Sequence, residues 1–449
     1  MALDRTAESE RWRTEGLRVA ENWRRYLASV DSPDGPDENG PGEDPREDER
    51  LAKRVLGWLR EANQQGNVEA FRNECPPCMI PMISLLQANG QTVAPLVWLE
   101  DGRVAATIGS SYQGNRHVVA IGNERVDVLD GVHMVGRSPD RRYRAVARED
   151  GIDIEATWGD PLRHIPWPSE AAMQLGRSTD AMTADEMHLE EMHAFPDGQR
   201  VLIVTGREVA VLAADGGVTP LLRHVYQLIR GDEAGSASGS DDEFRTPHAD
   251  MAHAAISPDG RLIAIGAQDT EHHVLDATTF ELLANVPTAS SYPHAACFSA
   301  DGKVVAFNSC HFYGGGTLAV DIADLPAFAP SAGTDHSGRM QLTREIDRFN
   351  RVYCMLAHRD EFLYGDAHGV LNCASADGSR HWRHFLGSSF SSMDFSPDGR
   401  RLAVSTYAGQ VVFFDMEATT PDPFACGNAP FRETHRWLFW KTEKQPLRW

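Results

Sequence analysis

Ile256-Ser-Pro-Asp-Gly-Arg-Leu-Ile-Ala-Ile265 reads as the end of one apolar strand, a tight turn and the start of a second strand. The Asp-Gly pair supplies the turn, because glycine reaches positive φ without a Cβ clash, and the β-branched run after it favours an extended backbone. The same phrase returns from Phe195 (Phe-Pro-Asp-Gly-Gln-Arg-Val-Leu-Ile-Val), Phe298 (Phe-Ser-Ala-Asp-Gly-Lys-Val-Val-Ala-Phe) and Phe395 (Phe-Ser-Pro-Asp-Gly-Arg-Arg-Leu-Ala-Val). Weaker copies begin at Trp98, Arg137 and His358. Their marker aspartates, Asp101, Asp140, Asp197, Asp259, Asp301, Asp360 and Asp398, are separated by 39, 57, 62, 42, 59 and 38 residues. Seven hairpin units follow, the short spacings near the ~40 to 45 residues of a four-stranded propeller blade and the long ones carrying insertions.

After several hairpins comes a third strand that ends in aspartate: His273-Val-Leu-Asp276, Leu318-Ala-Val-Asp321 and Val412-Phe-Phe-Asp415. These features resemble the WD40 repeat and its bacterial relatives with Ser-Pro-Asp-Gly hairpins, over roughly residues 92–416. The resemblance implies an all-β, seven-bladed propeller and says little about function, because one ring scaffold carries unrelated activities. Two departures stand out. No Trp-Asp pair ends these strands and no Gly-His pair precedes the repeats, the nearest being Pro247-His248, so the buried hydrogen-bond network of WD40 blades is not assumed.

A ring must close, since an open edge presents unpaired backbone groups. Two segments are candidates for the missing outer strand of the last blade, residues 79–87 and residues 436–440, and the resemblance to WD40 closure favours the first. Before the ring lies a helical extension, residues 1–74, in which Trp12, Val19, Trp23 and Leu27, and then Leu51, Val55, Leu59 and Ala62, recur at helical spacing. Residues 31–48 between them are rich in proline, glycine and acid, a linker composition. Helices this short need a surface to pack on, so they are expected against the side or bottom of a propeller spanning residues 75–449, with a partner-binding hairpin as the alternative.

Composition narrows the function. The chain has 449 residues and a formal net charge of −22, from 43 basic and 65 acidic side chains. An acidic surface opposes extended contact with nucleic acid or anionic membrane, which need a cationic face. No run of about 18 apolar residues is present, and Met1-Ala-Leu-Asp-Arg lacks the apolar core of a secretory signal, so a cytoplasmic protein is expected. Seven cysteines, an odd and sparse set, suit reduced thiols.

In the expected blade topology the links between blades and the second-to-third loops share one face, and the first-to-second and third-to-fourth turns share the other. The long insertions, residues 168–187, 223–250 and 326–348, are read as lying between blades and crowding the link face. Loops on a rigid scaffold carry function. Histidines recur near the start of the inner strand in four consecutive units, His133, His188, His253 and His294, and the second-to-third loops add Asp269, His272, His311 and Asp366, with Tyr112, Tyr313 and Tyr407 as aromatic contacts. Imidazole and carboxylate at a channel mouth suit metal binding, acid–base chemistry or a polar ligand. The bland reading makes them structural histidines and solvated loop residues.

Gly231 to Glu243 reads as a solvated acidic linker. Cys75-Pro-Pro-Cys78 has the spacing of a redox pair or half a zinc site, yet no second close cysteine pair and no βαβ pattern follows, so a structural pair is expected. The aromatic tail from Arg432 to Trp440, with the terminal Arg448-Trp449, is expected to pack on the ring. No phosphate loop, Gly-x-Ser-x-Gly elbow or His-Glu-x-x-His motif is present. The function that emerges is a cytoplasmic protein-binding scaffold engaged through the link face, with no cofactor. The alternative is a metal-assisted hydrolase or lyase at the channel mouth, with His253 and His294 as the first residues to replace.

Overall fold

The computed structural model describes residues 5–30, 32, 36–46, 49–78, 80–110, 116–230, 249–268, 270–312, 314–333 and 335–449. Seven antiparallel meander sheets occupy residues 93–128, 134–166, 189–220, 253–286, 293–348, 352–385 and 390–448, here blades 1 to 7. Blades 1 to 6 have four strands and blade 7 has five. Each inner strand packs on the inner strands of the next and previous blades, and Phe390–Phe395 of blade 7 packs on Val93–Trp98 of blade 1, closing a seven-bladed β-propeller.

Four of the seven hairpins close by one device. In blade 4 the Ser257 hydroxyl donates to Asp259 Oδ1 at 2.7 Å and accepts from Leu262 N, while Asp259 accepts from Arg261 N. Ser138, Ser299 and Ser396 repeat it with Asp140, Asp301 and Asp398. The turn glycines Gly198, Gly260, Gly302 and Gly399 have φ between 62° and 72°, the region glycine enters without strain. Aspartates at the third-strand ends close the next turn, as Asp276 does by accepting from Thr278 N and Thr279 N.

Apolar faces of neighbouring sheets meet in a separate buried cluster at each of the seven blade interfaces. Burial of these faces is the main force holding the ring. Approach between blades is close enough that a Cβ on Gly136 of blade 2 would overlap the Met192 carbonyl of blade 3.

Three expectations change here. Residues 83–89 form a helix, and the fourth strand of blade 7 is Arg432–Leu438, so the C-terminal segment completes the ring; Gly90 and Trp440 still share an isolated bridge. The insertion read at residues 326–348 lies inside blade 5: Arg344–Arg348 is its fourth strand, and the rest belongs to the connection, residues 322–343, that follows the third strand Gly316–Asp321. It lies against the outer strand of blade 4, with Leu325 and Phe328 in the cluster of Val274, Ala284 and Val286. Within residues 31–48, Asp44 and Arg46 are buried as an ion pair at 2.8 Å, so part of that segment is packed.

The extension folds as α1 (Arg5–Val30), α2 (Glu49–Gln65) and α3 (Val68–Glu74), and a further helix, α4 (Ile83–Asn89), leads into blade 1. Trp12, Leu51, Val55, Leu59 and Phe71 share one buried cluster with Leu438, Trp440, Leu447 and Trp449 of blade 7 and the tail. Trp23 stacks on Phe385 of blade 6, ring centroids 3.6 Å apart. The helices thus cover the outer edge of blades 6 and 7, and the aromatic tail is enclosed between them and the ring.

Candidate binding face at the channel mouth

The inner strands enclose a channel of about 550 Å³, lined among others by Glu191, His193, His253, His294, Tyr353 and Asp394. Because each strand is antiparallel to the next, inner strands begin on the link face, and histidines near their first residues are placed at that mouth. What those side chains do there depends on the neighbour each meets.

His253 opens the inner strand His253–Ile256 and is buried; its Nδ1 lies 3.2 Å from the Met251 carbonyl and its Nε2 is buried without a partner among the described residues. His272, on the third strand of the same blade, stacks on Phe307 at 4.6 Å and stands 5.7 Å from His253. His294 of blade 5 places Nε2 3.2 Å from the Cys310 carbonyl and meets Tyr353 edge-on at 5.9 Å. These three line the wall between blades 4 and 5. Burial lowers the pKa of His253, His272 and His294, that of His294 to about 4 with further help from the Arg351 charge, so all three are neutral near pH 7.

The remaining residues go elsewhere. His133 pairs with Glu149 at 3.2 Å. His188 is exposed beside the 168–187 excursion and lines a groove with Glu170, Asp180, Glu186 and Arg207. Asp366 is buried and accepts from His368 N, Val370 N and Asn372 Nδ2, which makes it the organiser of its own turn. His311 is exposed between Tyr292 and Phe312. Tyr407 stands 5.5 Å from Tyr353. Asp269, Tyr313, Tyr112 and the acidic stretch from Gly231 to Glu243 lie outside the described residues.

Among the described residues no group of three or more His, Cys, Asp or Glu side chains is arranged to hold a metal ion. The face offers aromatic surface instead. Phe312 is 72% exposed, Phe349 75% and Tyr407 45%. Met251, with Leu228 and Ile229 of α5 (Leu221–Arg230), adds apolar surface on the same face. Arg351 sits below, its guanidinium 5.2 Å from the Tyr353 ring. None of the exposed large apolar residues described lies in a first-to-second turn on the opposite face.

Met251, Phe312 and Phe349 share a second property: their φ angles are 58°, 55° and 56°. Bulky side chains avoid this left-handed region, and residues held there concentrate at functional sites. The Phe349 conformation is fixed by its N–H, which donates to the Gly315 carbonyl at 2.8 Å. Sequence reading named Tyr313 and Tyr407 and missed Phe312, Phe349 and Arg351. The available signal was their position in very short connections, where no core lies within reach of a phenylalanine.

No protein-family model matches the chain. No curated protein matches it either. Among solved structures, it is similar to the β-propeller domain of Cps50 (Swd1) from Myceliophteria thermophila, with 12% identity over 71% of this chain and 94% of that one and a TM-score of 0.43. No function carries across at that distance, and the seven-bladed architecture rests on the chain's own sheets. None of the helices described is long and apolar enough to cross a membrane.

Proposed function

We propose that this chain is a cytoplasmic protein-binding scaffold, a WD40-like propeller of the Ser-Pro-Asp-Gly hairpin type, that engages its partner through the link face. Residues 1–74 act as the helical extension and residues 75–449 as the propeller with its tail. The observation that carries this reading is the exposed aromatic group Phe312, Phe349 and Tyr407 around the channel mouth. Large exposed apolar groups cost solubility unless something covers them, and aromatic residues with a nearby arginine are the common anchors of protein interfaces. His253, His272 and His294 then serve as the wall of the mouth and His311 as part of its rim, while Asp366 shapes one of its loops.

Site-specific photo-crosslinking tests this. A benzophenone side chain placed at position 312 or 349 is expected to capture a protein in native lysate, and one at Pro258 on the opposite face is not. Capture from Pro258 with nothing from 312 and 349 would put the interface on the wrong side and refute the assignment.

A further inference from the structure

Cys75 and Cys78 differ in everything except spacing. Cys75 is fully buried among Trp12, Phe71 and Trp449, and its carbonyl accepts from Trp449 Nε1 at 2.8 Å. The Pro76 carbonyl accepts from Trp12 Nε1 at 2.8 Å. Burial pushes the Cys75 thiol up to about 12, which leaves it inert. The two intervening prolines hold this carbonyl-presenting segment extended, and the motif is in that half a cradle for two tryptophans.

Cys78 touches the same cluster but also reaches a second one. It is half-buried, and Arg46 Nη2 donates to its sulfur at 2.8 Å. That guanidinium is a built-in feature: it is buried, clamped by Asp44 through Nε at 3.0 Å and Nη2 at 2.8 Å, and lies 5.0 Å from the Trp12 ring. Cys78 packs against the small cluster of Val19, Ala20 and Cys426. Cys426 belongs to the loop between the third and fourth strands of blade 7, where its carbonyl accepts from Phe385 N. Both thiols line one cavity of about 40 Å³ together with Pro77, His384, Asp422 and Arg436, room for a water or a molecule the size of hydrogen peroxide.

We infer that Cys78 is a reactive cysteine site for hydroperoxides and that its resolving partner is Cys426, not Cys75. Cys78, hydrogen-bonded by the Arg46 guanidinium, gives up its proton and its sulfur attacks one peroxide oxygen; the O–O bond breaks, hydroxide leaves and takes a proton to become water, and Cys78 becomes a sulfenic acid. The Cys426 thiol then loses its proton and attacks the Cys78 sulfur, displacing a second water and forming the Cys78–Cys426 disulfide. Two thiols give up two electrons and two protons, and one peroxide becomes two waters. Cys426 is suited to the second role, because burial, and then any charge on Cys78, raises its pKa and keeps it a thiol until a sulfenic acid stands beside it. The product staples the helical extension to blade 7.

The test uses the full reduced chain, hydrogen peroxide, thiol blocking and peptide mapping without reductant. The expected result is a Cys78–Cys426 cross-linked peptide that dithiothreitol removes. Cys354, the other half-buried thiol, carries no such guanidinium and is pushed to about 12 by burial, so Cys78 is expected to react at least tenfold faster. Cys426→Ala is expected to leave Cys78 as a sulfenic acid that dimedone traps, and Arg46→Lys to slow the reaction severalfold; the alanine variant preserves the test if the lysine variant folds poorly. A Cys75–Cys78 disulfide, or oxidation of Cys78 no faster than Cys354, overturns the proposal.

Discussion

Asp394 is a buried charge on which three blades converge. Its Oδ1 accepts from Arg137 Nε at 3.0 Å, Arg137 Nη2 at 2.7 Å and Arg141 Nη2 at 2.8 Å, and its Oδ2 accepts from Trp98 N at 2.9 Å. Burial alone would raise its pKa; the two guanidinium groups outweigh that and lower it. Arg141 occupies the position that glycine holds in five of the other six turns and takes φ 63° to reach this carboxylate. The clamp was half-visible in the sequence, since Arg137-Ser-Pro-Asp-Arg breaks the glycine rule, but nothing in the chain names a partner more than 250 positions away. Asp394→Asn leaves two inward-facing guanidiniums short of a counter-charge and is expected to cost about 3 kcal/mol or more, read from the urea midpoint at constant m-value. A midpoint within experimental error of the parent protein would show that the clamp does not hold the ring.

Buried histidines set the acid limit of the fold. Burial depresses His273, His294 and His384 to about 4 and His435 to about 3, against 6.5 as the ordinary value. The unfolded chain therefore takes up protons below pH 6.5 that the native chain refuses, so their contribution is complete above 6.5 and is lost as pH falls toward 4, by roughly 1.4 kcal/mol per histidine per pH unit. Glu208 works in the opposite sense: burial raises it to about 7, so its neutral form favours folding between its ordinary value and 7, one group against four. Denaturation midpoints measured from pH 7.5 to 5 should fall steeply below 6.5. A flat profile would contradict the buried neutral state of these rings.

At the scale of elements, legibility followed the strength of the local signal. Three hairpins with a serine, an aspartate and a glycine carry their own turn chemistry, and the spacing they set made the four less complete turns readable. Arg344–Arg348, Arg-Glu-Ile-Asp-Arg, has one apolar residue and reads as a loop, which moved the 326–348 insertion to the wrong face. Residues 79–87 are a short apolar run that periodicity cannot assign to strand or helix, and tertiary packing made most of it helical. The strained loops were the least legible, because φ at Phe312 and Phe349 is set by contacts such as Gly315 to Phe349 rather than by side-chain preference. Asparagine tolerates this region, so Phe349→Asn is expected to raise stability by about 0.5–1 kcal/mol while removing a rim aromatic. Differential scanning calorimetry checks the first half; a lower melting temperature would mean that Phe349 packs more than it protrudes.

For the whole molecule, the helical extension and the last blade are joined by side-chain hydrogen bonds and one apolar cluster. Arg72 bonds the terminal Trp449 carbonyl and the Glu433 side chain, Arg60 pairs with Glu443, and Asn63 exchanges two hydrogen bonds with Arg448. Removing residues 1–74 uncovers Trp440, Leu447 and Trp449 beside the outer strands of blade 7, so the truncated chain is expected to self-associate in light scattering and to melt earlier. A monodisperse monomer with the parent melting temperature would make the extension a detachable arm instead.

The central claim concerns the link face, and quantitative co-purification from native lysate reaches it most directly. The intact chain is compared with Phe312→Ser/Phe349→Asn/Tyr407→Ser and with a control that replaces Arg261, Lys303 and Arg400 on the hairpin face by serine. A near-stoichiometric partner kept by the control and reduced at least tenfold by the rim variant is the expected result. Undiminished capture by the rim variant would contradict the account.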